Sequence, residues 1–182
     1  MFNPSKFDNK IQVVCVNVNG LRSKIGQIRR FLTNQKQETV LVINDTRLRG
    51  NLKKSDLPGY QILRKDKPLV GAIATAGGVA FAIPSRWSCL EYAFKTNEDH
   101  FEALAAILIP PESKPIKLAT CYNHPRNHVS EQLFEEFENI RLNGEELPGL
   151  FVGDFNSPHE AFGSRFSNEY GAKLLQIINK RI

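Results

Sequence analysis

Four polar groups stand at the ends of apolar runs, and together they could carry chemistry. Asn17 and Asn19 close the first run, Asp45 follows Thr39–Ile43, Tyr122-Asn123 ends Ile116–Tyr122, and Asp154 with Asn156 follows Leu150–Val152. Hydrolysis of a phosphodiester needs a hard cation to neutralise charge building on phosphoryl oxygens. It also needs an oriented water and a base. Mg²⁺ takes oxygen ligands, often one or two carboxylates with waters and substrate phosphate completing the shell. Asp45 and Asp154 can supply carboxylates. The asparagine amides and the Tyr122 hydroxyl can hold phosphate and water.

Each residue also has a purely structural reading. Asn19 before Gly20 is a turn former. Asp45 and Asp154 can cap the turns that follow them, and Tyr122 can be a strand aromatic with its hydroxyl bonded at an edge. Their order along the chain, more than any one of them, points to a ligand site.

The elements that must position them are legible in the hydropathy pattern. Ile11–Val18 reads as a first strand buried on both faces, broken at Asn19-Gly20. A helix is expected from about Ser23, with Ile25, Ile28, Phe31 and Leu32 on one face. Thr39–Ile43 is a second strand. Leu57-Pro58-Gly59-Tyr60 turns into a short strand at 60–64, Gly71–Gly78 reads as a loop, and Gly78–Ile83 is a strand closed by Pro84. Leu90–Phe94, Glu102–Ile109 and Ile116–Tyr122 are further strands. Ser130–Leu142 reads as an acidic helix with Leu133, Phe134, Phe137 and Ile140 inward. Leu150–Val152 is a buried strand, and a last helix over Asn168–Ile178 turns Leu174, Leu175 and Ile178 inward. Polar residues at strand ends are where α/β folds place ligand sites.

Length and composition bound the rest. With 182 residues, 41% apolar and 24% charged, the chain is one ordinary globular domain over 1–182. Neither a membrane span nor a secretory leader is apparent, so a nuclear or cytoplasmic, intracellular protein is expected. Cys15, Cys89 and Cys121 read as buried free thiols rather than zinc ligands. The net charge of +5 is uneven: residues 1–67 hold 14 Lys+Arg against 5 Asp+Glu, and the remainder 10 against 14. Clusters at Arg29-Arg30, Arg47/Arg49, Lys53-Lys54 and Arg64-Lys65/Lys67 could line a phosphate-rich ligand, or simply face water.

Asn17-Val18-Asn19-Gly20-Leu21-Arg22, Ile43-Asn44-Asp45-Thr46-Arg47-Leu48, Gly77-Gly78-Val79-Ala80, Cys121-Tyr122-Asn123-His124-Pro125 and Gly153-Asp154-Phe155-Asn156 occur in this order. In that order they resemble the motifs of the endonuclease/exonuclease/phosphatase family. From Gly153 to Ser164, with Asn168 and Gly171, the chain is similar to the endonuclease domains of non-LTR (LINE-type, Jockey-like) retrotransposons. The resemblance implies a four-layered α/β sandwich, two mixed sheets flanked by helices. It implies Mg²⁺ (or Mn²⁺)-dependent nicking of DNA to leave a 3′-hydroxyl for a reverse transcriptase. Asn17 would stand beside metal and phosphate, and Asp45 in place of a metal-binding glutamate. Tyr122 would stand against phosphate, Asp154 as the residue that orients or activates water, and Asn156 as a phosphate holder. Asn19, Arg22, Arg47, Arg49 and Asn123 are the expected nucleic-acid contacts.

Two departures stand out. Asp45 is one methylene shorter than glutamate, and Mg²⁺ tolerates little displacement of an inner ligand. The resemblance also implies a later aspartate and a Ser-Asp-His motif, which the chain lacks before its last residue, Ile182. Of His100, His124, His128 and His159, only His100 follows an aspartate. The domain is therefore expected to be C-terminally incomplete, with a free sheet edge open to a protein partner or to self-association. The runner-up reading is a catalytically inactive or domesticated module that binds nucleic acid or protein.

Overall fold

The central strands explain themselves by alternation. In the computed structural model, which describes residues 11–50, 52, 56–67, 76–96 and 100–181, Val40 and Val42 point into one core. Their neighbours Leu41 and Ile43 point into another. A strand apolar on both faces must be covered on both. The strand concerned, β2 (Thr39–Asn44), is wholly buried, between β1 (Gln12–Asn17) and β4 (Val79–Pro84), with β3 (Tyr60–Lys65) beyond. β1 runs parallel to β2, and the others are antiparallel. Helix α1 (Ile25–Thr33), preceded by one 3₁₀ turn, covers the outer face through Ile28 and Leu32.

The second sheet repeats the plan: β5 (Ser88–Tyr92), β6 (Phe101–Ile109), β7 (Ile116–Asn123) and β10 (Gly149–Asp154) in the order β10-β7-β6-β5. Here β10 is parallel to β7 and the rest antiparallel. Leu104, Ala106, Leu108 and Leu118 meet Val42, Phe81 and Ile83 between the sheets. On the outer face Ala105 and Ala119 leave room for Phe137 and Ile140 at α2 (Glu131–Glu138). Helix α3 (Glu169–Asn179) packs Leu174 and Ile177 against Phe134. Helix, sheet, sheet and helix make the expected four layers.

Several expectations require correction. β1 is an edge strand and only partly buried, with Cys15 exposed and Cys89 half-buried, so Cys121 alone of the three thiols is a buried one. β10 is the corresponding edge of the second sheet, beside β1, with its first half exposed. α2 stops at Glu138, because Asn139-Ile140 lead into a hairpin of β8 (Arg141–Leu142) and β9 (Glu145–Glu146). Asn143 and Gly144 at its tip have positive φ, the chemistry of a two-residue hairpin loop rather than of a helix. The strand expected at 90–94 begins two residues earlier, at Ser88. In α3 the deepest residues are Leu174 and Ile177, with Leu175 and Ile178 half-buried, and on α1 Phe31 is exposed. Residues 71–75 of the expected loop, and Lys53-Lys54, lie outside the described residues. Among the described residues no helix is long and apolar enough to cross a membrane.

Candidate active site where the two sheets meet

The two parallel pairs end side by side. β1 and β2 finish at the partnered Asn17 and Asn44, and β7 and β10 bring Tyr122 beside Asp154. Two asparagines then tie the sheets together. Asn17 Nδ2 donates to Asp154 Oδ2 at 2.7 Å. The buried Asn44 Nδ2 donates to Thr120 Oγ1 at 3.1 Å and to the Cys121 carbonyl at 3.2 Å. An edge-strand amide and a carboxylate 137 residues away are thereby held in one geometry.

Asp45 follows β2 with φ of 54°. Its carboxylate is buried and engaged: Oδ1 accepts from Gly77 N at 2.7 Å and Arg47 Nε at 3.1 Å, and Oδ2 accepts from Arg47 Nη2 at 2.9 Å. The adjacent Gly78 N donates to Glu102 Oε2 at 3.0 Å, and Glu102 is only 2% exposed. Two consecutive amides thus each hold a carboxylate. Gly77 and Gly78 adopt φ of 133° and 85°, and a Cβ on them would lie 2.5 Å from Glu102 Oε2 and 2.4 Å from Thr46 Oγ1 respectively. Only glycine permits this approach. Glu102 Oε1 lies 3.2 Å from His124 Nε2, which is also 2.8 Å from Lys67 Nζ. That ring nitrogen either donates to the carboxylate or accepts from the ammonium.

Tyr122 lies at the centre, 5% exposed, with its ring edge-on to His124 at 5.2 Å. Burial, reinforced by the charges of Asp45 and Asp154, pushes its hydroxyl up to about 12. It therefore stays protonated at neutral pH and can donate.

The remaining candidates fall into two groups. Asn156, with φ of 48°, donates Nδ2 to the Asn123 carbonyl at 2.7 Å, and its own N–H points to Asp154 Oδ1 at 3.3 Å. Asn123 is fully buried, its amide donating to the Asn127 and Phe155 carbonyls. It braces the loops rather than facing a ligand. Asn19 N donates to Asn17 Oδ1 at 3.0 Å, the turn that fixes Asn17. Arg22 Nη2 donates to the Arg49 carbonyl at 2.8 Å, which ties Arg22 to the segment that follows Arg47. Beyond Asp154 a cleft of about 680 Å³ is lined by Asn156, His159, Phe162 and Ser164 among others.

Glu102, Asn44 and the role of Gly77-Gly78 are absent from the sequence-based site. The one readable signal is Glu102, a charge heading the apolar run Phe101–Ile109. None of the four histidines hydrogen-bonds Asp154 in the described geometry: His100 contacts the His128 carbonyl, His128 packs at a tilt against Tyr170, and His159 caps Ala161 N.

The oxygen donors Asp45, Asp154 and Asn17 have the right chemistry for Mg²⁺, but they do not fit it as arranged. Three of the roughly four lone-pair sites of the Asp45 carboxylate are taken, two by Arg47. The charge of Asp45 is answered by that guanidinium. Among the described residues no group of three or more His, Cys, Asp or Glu is placed to hold a metal ion.

Residues 116–182 match the family model described as endonuclease-reverse transcriptase. An endonuclease/exonuclease/phosphatase family protein from Bacteroides thetaiotaomicron superposes with a TM-score of 0.53 at 13% identity, covering 91% of this chain. The fold is that of the endonuclease/exonuclease/phosphatase proteins. The family match is confined to residues 116–182, and the structural likeness is one of fold. The chain spans 65% of the length of the solved structure it matches. No curated protein sequence matches it. The matched segment holds β7, β10 and both Tyr122 and Asp154.

Proposed function

We propose that this is a nuclease-type domain that engages the phosphodiester backbone of DNA and cleaves one strand. The observation that carries the reading is the Asn17–Asp154 hydrogen bond between the two sheets, made beside a Tyr122 hydroxyl that stays protonated. Asp154 is fixed by Asn17 at one oxygen and by Asn156 N–H at the other. A carboxylate held this way can orient a water and take its proton as the water oxygen attacks phosphorus. The P–O3′ bond breaks, O3′ takes a proton from solvent, and a 3′-hydroxyl remains. Tyr122 donates to a phosphoryl oxygen, where charge builds in the transition state. Arg22, Arg47 and Arg49 suit a polyanion. The family description, endonuclease-reverse transcriptase, supports a cut that primes reverse transcription, as in retrotransposon integration. Mg²⁺ or Mn²⁺ forms no part of this reading, because Arg47 engages Asp45.

The deciding experiment is nicking of supercoiled plasmid by the wild type and by Asp154→Ala. Nicking by the wild type, reduced at least a hundredfold in the variant, is the expected result. Clean wild-type protein that binds DNA without nicking it points instead to a second reading, a nucleic-acid-binding module. The closed Asp45–Arg47 pair favours that reading, since it leaves the usual electrophile out.

A further inference from the structure

We propose that Arg47 is the resident cation of this site, its guanidinium fixed on Asp45 and presented to a phosphodiester oxygen where a divalent ion would otherwise stand. This deepens the phosphodiester reading and rests on it. The guanidinium is bound in fork fashion, Nε to Oδ1 at 3.1 Å and Nη2 to Oδ2 at 2.9 Å. Five N–H donors are available to an arginine, so three remain for a ligand. The Arg47 side chain is 38% exposed while that of Asp45 is 5% exposed. The buried partner anchors and the outer one faces solvent.

The backbone is built for this contact. Asp45 and Arg47 both take positive φ, 54° and 46°, a conformation that side-chain-bearing residues rarely adopt. Thr46 N donates to the Gly78 carbonyl at 3.0 Å and Arg47 N to the Gly77 carbonyl at 2.9 Å, which holds the strained turn closed. Arg47 also lies close enough to Tyr122 for its charge to act on the hydroxyl. An oxyanion between them would meet a guanidinium and a phenol, the planar fork that suits phosphate.

Two readouts test this. Anisotropy of a fluorescein-labelled DNA duplex should give the same affinity in EDTA as in Mg²⁺ at matched ionic strength. Arg47→Ala should weaken it about tenfold or more, and Arg47→Lys, which keeps charge but not the fork, should recover only part. Separately, electron paramagnetic resonance of Mn²⁺ alone should show no saturable binding to the wild type. Arg47→Ala should gain such binding, and the double variant with Asp45→Asn should lose it again. Saturable Mn²⁺ binding by the wild type that disappears in Asp45→Asn overturns the inference, as does DNA binding abolished by EDTA; either leaves the phosphodiester reading standing. No DNA binding in either buffer removes that reading and the inference with it. Should Arg47→Ala fail to fold by circular dichroism, the wild-type Mn²⁺ titration and Arg47→Lys decide.

Discussion

Tyr122 feels four charges, those of Asp45, Asp154, Glu102 and Arg47, and burial is the largest influence on its hydroxyl. Cys15 is similar at smaller scale: it sits on an exposed edge strand, yet its Sγ turns toward Asn44 Oδ1 at 3.3 Å. Burial, then Asp154, pushes the thiol up to about 11. Cys121, fully enclosed, is raised further for the same first reason. These groups are neutral at neutral pH and their folded values are raised, so their contribution to stability is complete below the ordinary values of 9.0 for cysteine and 10.0 for tyrosine. It is lost as pH rises through the folded ones. Urea midpoints measured at successive pH values should therefore fall between pH 9.0 and about 12, and less steeply in Cys121→Ala, once the size of the substitution is accounted for at neutral pH. A flat midpoint across that window would contradict the assignment. In the same window iodoacetamide should alkylate Cys15 in the folded protein more slowly than in urea.

At the scale of elements, the Gly77-Gly78 turn decides how the site is held. It donates one amide to Asp45 and one to Glu102, and accepts from Thr46 N and Arg47 N. A methyl at Gly78 meets Thr46 Oγ1 at 2.4 Å and must adopt positive φ. Forcing a non-glycine residue there costs about 1–2 kcal/mol for the backbone alone, before any displacement of Thr46. Gly78→Ala should thus lower stability by at least that much in chemical denaturation, and should also weaken DNA binding because displacing Thr46 disturbs the turn that carries Asp45 and Arg47. Stability lost with DNA affinity unchanged would separate the turn from the site. In the parallel pair at the other side, a Cβ on Gly153 would stand 2.3 Å from the Cys121 carbonyl. That glycine is required by strand spacing, whatever chemistry Asp154 does beside it.

For the whole molecule, charge asymmetry becomes a surface. Several of the basic residues in the N-terminal half are engaged by the fold itself: Arg29 donates to the Asp56 carbonyl, Arg64 pairs with Asp66, and Lys67 contacts His124. Arg47 pairs with Asp45 at the site, and Arg22 is bonded to the backbone of Arg49 on the segment that follows. Affinity for DNA should fall with salt in proportion to the phosphates neutralised. Arg49→Ala should flatten the slope of log affinity against log salt by about one, whereas Arg29→Ala should leave it unchanged. Equal slopes for Arg49→Ala and wild type would remove Arg49 from the interface. The edge strands β1 and β10 lie on the same side of the sandwich, in contact with each other. Beside β1 a groove of about 310 Å³ runs between Val14, Val16 and the exposed Phe31.

Much of this was legible before the chain was folded. The apolar runs at Thr39–Ile43, 102–109 and 116–122 located strands because a sheet covered on both faces needs both sets of side chains apolar. Asn17, Asp45, Tyr122 and Asp154 were identified by their position at strand ends, which local pattern records. Local pattern does not record which strand lies at an edge. β1 and β10 look as apolar as β2, and only pairing leaves them half-exposed. Nor could spacing reveal that Asp45 is already answered by a guanidinium two residues on. That depends on two residues with positive φ and on glycine amides from position 77 onward, brought in by the β2–β4 pairing. The sequence by itself determined the residue types at the strand ends and the fold able to gather them. The tertiary structure decided which of those groups remain open to a ligand, because hydrogen bonds between distant segments engage some and leave others free.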